Sequence, residues 1–519
     1  MTMNRFCILT ATLITVLVST CACGGDKPEP KPEFKRYNSG LAIQSNLINS
    51  KIPVTVLYDI LLPADYQSNP ERRYPVVYLL HGYGDNQSSW NGSYMQGESR
   101  IVSIENSKRL EPMIYVCPNG FKTYYCNFYD GSYNYMDMFI NELVPHIDAT
   151  YRTIADRGHR ALIGYSMGGF GAMVLPLKHP EVFSVSVPLS MSFRTDQQYM
   201  TESQDGWNTQ WGKIFGGVGE SGQGRITEYY KQHCPFYQFV PENKEALSTV
   251  HWFLTCGDNE EQLLVANDSL HQQLMKYGYA HEFRVGDGGH STSYWRAALD
   301  EVLPYIQNCF NGGTTWDHSN VYVSVPTVTF ENDGAFLSKG FKDAGATEGT
   351  AIYLCHSGLP QELVRKMTAV LQGARESKKF AILPCNLQEK SLMDWIVLYE
   401  NRYKVGGAAT SRCAVAVGEA GKEVYTLQSE FGSLFFESAA LADNPASIQP
   451  VKGKFYYMGQ NDEGPYYAQI GALYKACRLL YSKKDEVSMF EYRCRNFAGD
   501  AEQDLLQGMQ AMVSCMKYD

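Results

Sequence analysis

The chain has 519 residues, of which 44% are hydrophobic and 19% charged, and its formal charge at pH 7 is -10. That length exceeds one ordinary core, so two domains are expected, and the negative balance argues against nucleic acid as a partner. The 36 tyrosines suit a secreted protein that handles aromatic or sugar ligands.

The N-terminus is a leader. Met1 to Arg5 carries a positive charge, and residues 8–18 form an apolar run too short to span a bilayer comfortably. Ser19-Thr20-Cys21-Ala22-Cys23-Gly24-Gly25 follows. Residues 1–22 therefore read as a secretory signal peptide, and they resemble a bacterial lipoprotein signal in which Cys23 becomes the lipid-bearing first residue. A plain cleaved signal without lipid is the alternative. Residues 23–38, rich in proline and charge, form an extended tether. No later stretch is apolar long enough for a membrane helix, so the expected location is the bacterial cell envelope, secreted and lipid-anchored, periplasmic or on the outer-membrane surface. Of the 14 cysteines, three lie in the leader, and the rest show no C-x-x-C pair or zinc spacing. No metal or organic cofactor is expected. Cys117 and Cys126 are close enough in sequence to suggest a local disulfide, whereas Cys117, Cys256 and Cys355 each end an apolar run as small buried hydrophobes do.

Strand patterns at 54–62, 75–80, 113–117, 161–165, 183–189, 250–255 and 282–285 alternate with helical ones. One helical pattern at 136–147 sets Phe139, Ile140, Leu143 and Ile147 on a single face. Such alternation predicts an α/β fold, a mostly parallel sheet with helices on both faces. Reactive residues are then expected beyond the C-terminal strand ends.

Four of those ends carry chemistry. His81-Gly82-Tyr83-Gly84 offers the Tyr83 backbone N–H as an oxyanion donor, or is a turn rich in glycine for geometry alone. Gly164-Tyr165-Ser166-Met167-Gly168 sits between an apolar strand and a small-residue helix, the context of a nucleophile elbow. Ser166 is the nucleophile candidate and Met167 N–H the second oxyanion donor. Cys256-Gly257-Asp258-Asn259-Glu260-Glu261 supplies three competing acids, one of which could hold a histidine in its working tautomer. His290, after Gly286, Gly288 and Gly289 and before a helix, is the candidate general base. His146 and His281 read as structural. Serine, acid, histidine is the chain order of α/β hydrolases.

Together, His81-Gly82, Gly164 to Gly169, Cys256-Gly257 and Gly288-Gly289-His290 with Tyr294-Trp295 resemble the esterase D-like α/β hydrolases. The resemblance is nearer to the secreted feruloyl and acetylxylan esterases of carbohydrate esterase family one, and it covers about residues 40–308. It implies a catalytic α/β-hydrolase domain over 39–310 with Glu260 as the acid, where that family carries aspartate. The insertion at 191–248 holds Trp207, Trp211, Phe215, Tyr229, Tyr230, Phe236 and Tyr237, which either line the mouth of the site or pack the insertion onto the body.

Residues 316–519 repeat the first domain faintly. Ile352 to Ser357 parallels Val77 to Gly82, Arg412 to Gly421 parallels Arg160 to Gly169, and Phe455 to Glu463 parallels Phe253 to Glu261. Gly418 stands where a nucleophile would be, and the histidine position falls near Ala498 or Gly499. A second, smaller, degenerate α/β-hydrolase-like domain is expected, able to bind substrate, shape the cleft or make a dimer contact. An unrelated α/β domain is the alternative.

The resulting expectation is a serine esterase releasing feruloyl or acetyl groups from plant polysaccharides such as xylan. Two alternatives stay open: another acyl hydrolase or acyltransferase acting on a siderophore ester or thioester, and a glycan-binding lipoprotein with a vestigial site.

Overall fold

The computed structural model describes residues 35–37, 42–44, 55–313 (without 109, 258 and 287), 323–344, 349–373, 375–405, 412–430, 437–441, 455–461, 490–495 and a few positions within 502–510. The leader, most of the tether and the linker beyond 313 lie outside these residues.

Short strands β1 (Lys35–Tyr37) and β2 (Ala42–Gln44) pair antiparallel with β3 (Thr55–Leu62). The site is carried by β4 (Val76–Leu80), β5 (Ile114–Pro118), β6 (Arg160–Tyr165), β7 (Val185–Leu189), β8 (His251–Gly257) and β9 (His281–Gly286). Their order is β3-β5-β4-β6-β7-β8-β9, parallel throughout except for β3.

The sequence explains why these strands are central. Val76-Val77-Tyr78-Leu79-Leu80 is buried at every position, as a strand covered on both faces must be. Its side chains alternate. Val76, Tyr78 and Leu80 enter one core, and Val77 and Leu79 enter the other. The first core also takes helix α2 (Met167–Lys178), and the second takes α1 (Gly97–Lys108) and α4 (Thr292–Phe310). The result is a three-layer α/β/α sandwich with α3 (Glu261–Tyr277) following β8.

The expected helix at 136–147 is present, with a local change of pitch. Tyr135–Met138, a π-helical turn Phe139–Leu143 and Val144–Thr150 run on from one another. Pro145 has no N–H to return to the preceding turn, which accounts for the widened segment. Phe139, Leu143 and Ile147 are buried on one face. Cys117 and Cys126 are not joined; both are buried free thiols, so hydrophobic burial decides their environment.

The later strands are β10 (Phe336–Leu337), β11 (Thr350–His356), β12 (Phe380–Asn386), β13 (Arg412–Val417), β14 (Glu437–Leu441), β15 (Phe455–Asn461) and β16 (Phe490–Arg495). They run β10-β12-β11-β13-β14-β15-β16, with β10 antiparallel and the rest parallel. That is the order of β3 to β9 over again. The two sets meet where β16 pairs antiparallel with β9, Cys494 opposite Val285.

One buried acid carries a pH prediction. Glu105 on α1 accepts a hydrogen bond from Tyr115 Oη at 2.6 Å, and burial pushes its carboxyl up from 4.5 to about 8. The folded chain therefore holds a proton that the unfolded chain releases above about 4.5. Stability from this group is full below that pH and is lost as pH rises through about 8. Glu105→Gln keeps an acceptor for Tyr115 and removes the titration. Melting temperatures from pH 5 to 9 should fall less steeply in the variant, with a gain of a few kcal/mol at most at the alkaline end, at about 1.4 kcal/mol per unit. Parallel melting curves for both chains would contradict this.

Candidate active site

Ser166 stands between β6 and α2 at φ 56° and ψ -117°, a conformation that costs any residue with a Cβ. Two glycines make the bend feasible. A Cβ on Gly164 would come within 2.0 Å of Gly168 O, and one on Gly168 within 2.2 Å of Leu80 O. The same closeness brings the end of β4 against the start of α2. Ser166 N donates to Leu189 O at 3.0 Å, while its side chain makes no capping bond and stays available for chemistry.

The base and the acid arrive from two loops that touch. Asn259 N donates to Gly288 O at 2.9 Å, and a Cβ on Gly257 would lie 2.3 Å from that oxygen. Gly288 itself has φ +143°. In this arrangement His290 Nε2 lies 2.9 Å from Ser166 Oγ, and His290 Nδ1 lies 2.7 Å from Glu260 Oε2. A carboxylate accepts only, so Nδ1 carries the proton and the Nε2 lone pair faces the serine hydroxyl. Of the three competing acids it is Glu260 that meets the ring; Asp258 and the side chain of Glu261 lie outside the described residues.

The Glu260 side chain is fully buried, whereas that of His290 is 40% exposed. Burying a carboxylate is costly unless its oxygens are satisfied. Here Oε1 accepts from Gly257 N–H at 2.9 Å and from Ser190 Oγ at 2.5 Å, and Oε2 from His290. Ser190 Oγ in turn accepts from Trp295 Nε1 at 2.8 Å, and the His290 and Trp295 rings stand nearly perpendicular with centroids 4.9 Å apart. Sequence reasoning missed Ser190. Its signal was its place just past the end of β7, where the strand-end rule directs attention.

Tyr83 lies in the loop after β4, and Met167 opens α2. His81 fixes that loop. Its buried ring accepts from Gly120 N at 2.7 Å through Nε2 and donates from Nδ1 to Gly82 O at 2.8 Å, and burial lowers its pKa. A Cβ on Gly82 would meet the Tyr165 ring at 2.8 Å, so this loop packs directly on the elbow. Tyr165 Oη donates to Asp85 at 2.7 Å on the same side.

The insertion aromatics divide. Trp207, Trp211, Phe215 and Tyr230 are fully buried and pack with Tyr199, so packing onto the body accounts for them. Trp211 also meets Tyr124 in a tilted contact at 4.4 Å; the Tyr124 hydroxyl lies 3.4 Å from Ser192 Oγ, and Ser192 N donates to Ser166 O at 3.0 Å. His146 bonds Tyr58 at 2.9 Å and His281 bonds His271 at 2.6 Å, both remote from Ser166 in contact.

With this geometry in place, the family model for Esterase matches residues 45–306. The chain belongs to the Esterase family. The matched span contains every strand from β3 to β9 and all three triad positions. An endo-1,4-beta-xylanase/feruloyl esterase of Xylanibacter ruminicola is 26% identical over 257 residues, 47% of this chain and 28% of that protein. An esterase of Mycobacterium tuberculosis is 28% identical over 270 residues, 48% of this chain and 56% of its own length. The chain thus spans well under two thirds of these curated relatives. Among solved structures, a ferulic acid esterase is 27% identical with a TM-score of 0.43, covering 53% of this chain and 98% of its own.

In the second strand set the bend recurs with glycine in place of serine. β13 runs into Gly418 at φ 59°, and helix α5 (Ala420–Glu430) follows. His356 ends β11 as His81 follows β4. The expected histidine position near Ala498 lies outside the described residues.

Proposed function

We propose that the chain is a secreted serine esterase hydrolysing carboxylic esters, feruloyl or acetyl, on plant cell-wall polysaccharides through an acyl-enzyme. The observation that carries the hydrolytic part is the unbroken hydrogen-bonded line Ser166, His290, Glu260. As Ser166 Oγ attacks the ester carbonyl, His290 Nε2 takes its proton, and Glu260 stabilises the imidazolium. The Tyr83 and Met167 N–H groups receive the oxyanion. Collapse expels the sugar alcohol, which leaves with the proton from His290. Water then attacks the acyl carbonyl and gives a proton to the same nitrogen; the bond to Ser166 Oγ breaks, Oγ takes that proton back from His290, and the free acid departs. None of these steps draws on a cofactor.

The polysaccharide preference draws support from the printed name of the Xylanibacter relative, which joins a xylanase to a feruloyl esterase. An envelope location through a lipid on Cys23 follows from the leader alone. Residues 316–519 are read as non-catalytic, since glycine occupies the bend at 418. The test is chromatography of the acids released from feruloylated, acetylated arabinoxylan. Ferulate or acetate above the no-enzyme level supports the reading. Turnover of a thioester such as S-formylglutathione with no acid from the polysaccharide would move the assignment to another acyl hydrolase.

A further inference from the structure

A polar cleft opens beside the start of the helix that follows His290. It is an open groove between the N-terminal ends of α1 and α4 with a volume of about 340 Å³, lined by Gln96, Ser99, Arg100, Ser103, Ser293 and Arg296 among others. Its polarity is unusual for a chain with ten more acidic than basic residues.

The two arginines are not equivalent. Arg100 is ion-paired to Asp300, with its buried Nε lacking a hydrogen-bond partner. Arg296 donates Nη1 to the neutral Gln96 Oε1 at 3.0 Å, and among the described residues no carboxylate pairs with it. One positive charge is therefore left over, amid serine hydroxyls and an amide. A guanidinium in that state matches a carboxylate bidentately, and hydroxyl and amide neighbours match the hydroxyls of a sugar.

The position ties the cleft to the reaction. Ser293 is three residues from His290, at most about 11 Å along the chain. On the other side, Tyr94 precedes the lining residue Gln96 by two positions and is 53% exposed. The cleft thus lies close to His290 through the start of α4.

We propose that this cleft is a subsite for the carboxylate of a uronic acid unit in the saccharide half of the ester, with Arg296 as its principal ligand and the Tyr94 ring as a platform for an adjoining sugar. The proposal rests on the polysaccharide-ester reading and narrows it to acidic, uronate-bearing glycans. Neither arginine touches the triad, so the subsite sets specificity and not the chemical step.

The test is calorimetric titration of the Ser166→Ala chain, which binds without turnover. The ligands are a xylo-oligosaccharide bearing one glucuronic acid, its neutral counterpart, and inorganic phosphate. The acidic oligosaccharide should bind roughly ten-fold tighter than the neutral one. Arg296→Gln should erase that advantage, and Arg296→Lys should restore part of it. Equal affinity for acidic and neutral oligosaccharides, or an advantage untouched by Arg296→Gln, overturns the proposal. Phosphate binding as tightly as the acidic oligosaccharide also overturns it, since the sugar then contributes nothing. The native chain's failure to hydrolyse any ester would sink the catalytic reading while leaving the binding result to stand by itself.

Discussion

Ser166→Ala should lower kcat for 4-nitrophenyl acetate by on the order of 10^5-fold, about 7 kcal/mol of transition-state stabilisation. A residual rate above water should survive, because the oxyanion donors and the binding surface remain. The fold should not suffer. Ser166 already occupies φ 56° with a Cβ, so alanine adds no backbone strain, and the hydroxyl makes no helix-capping bond that would be lost. A melting temperature within a few degrees of the native chain, with activity gone, is the expected pair of results. Ser166→Gly offers a second check, since relief of the positive φ should make that chain equally inactive and slightly more stable. Turnover retained at a tenth or more of the native rate would refute the nucleophile assignment.

The second large effect is expected at Glu260, and the hydrogen bonds dictate its form. Oε1 accepts from Gly257 N–H, a backbone donor that cannot reverse its role. In Glu260→Gln the amide oxygen must therefore stay on that side, and the NH2 group faces His290 Nδ1. A donor there forces Nδ1 to accept and places the ring proton on Nε2, where it opposes the serine hydroxyl. The base is then in the wrong tautomer, for a loss on the order of 10^3- to 10^4-fold in kcat with little change in KM. Glu260→Asp retains the charge but withdraws it by one methylene, and its loss should be smaller. If Gln and Asp variants proved equally active, within a few-fold of native, the acid role would have to pass to another residue.

The strands were legible along the chain because buried parallel strands must be apolar throughout, whereas their order in the sheet, with β5 between β3 and β4, came from the structure. Gly164, Ser166 and Gly168 announced a tight bend for a related reason. Only residues without a side chain tolerate contacts at 2.0 and 2.2 Å, so that geometry leaves a mark on composition. The matching of Ile352 to Ser357 with Val77 to Gly82 likewise anticipated a repeated strand order, since strand-end positions in a parallel sheet follow from register.

Other features depended on distance in space. Glu260 could not be separated from its acidic neighbours along the chain, because what selects it is the meeting of the Gly257 and Gly288 loops and the donors that bury its charge. Ser190 and Trp295 lie 105 positions apart and join only when β7 and α4 pack on one core. Cys117 and Cys126 are near in sequence but face separate cores, which keeps them apart. Aromatics in the insertion could have lined the mouth, yet hydrophobic burial drew most of them inward. The residue pattern by itself determined the positions of the strands along the chain, the serine at the bend and the glycine-flanked histidine, since each imposes a local demand on neighbouring residues. The acid's identity, its supporting network and the arginine cleft were decided by the tertiary structure, because hydrogen bonding and charge depend on proximity that sequence separation does not record.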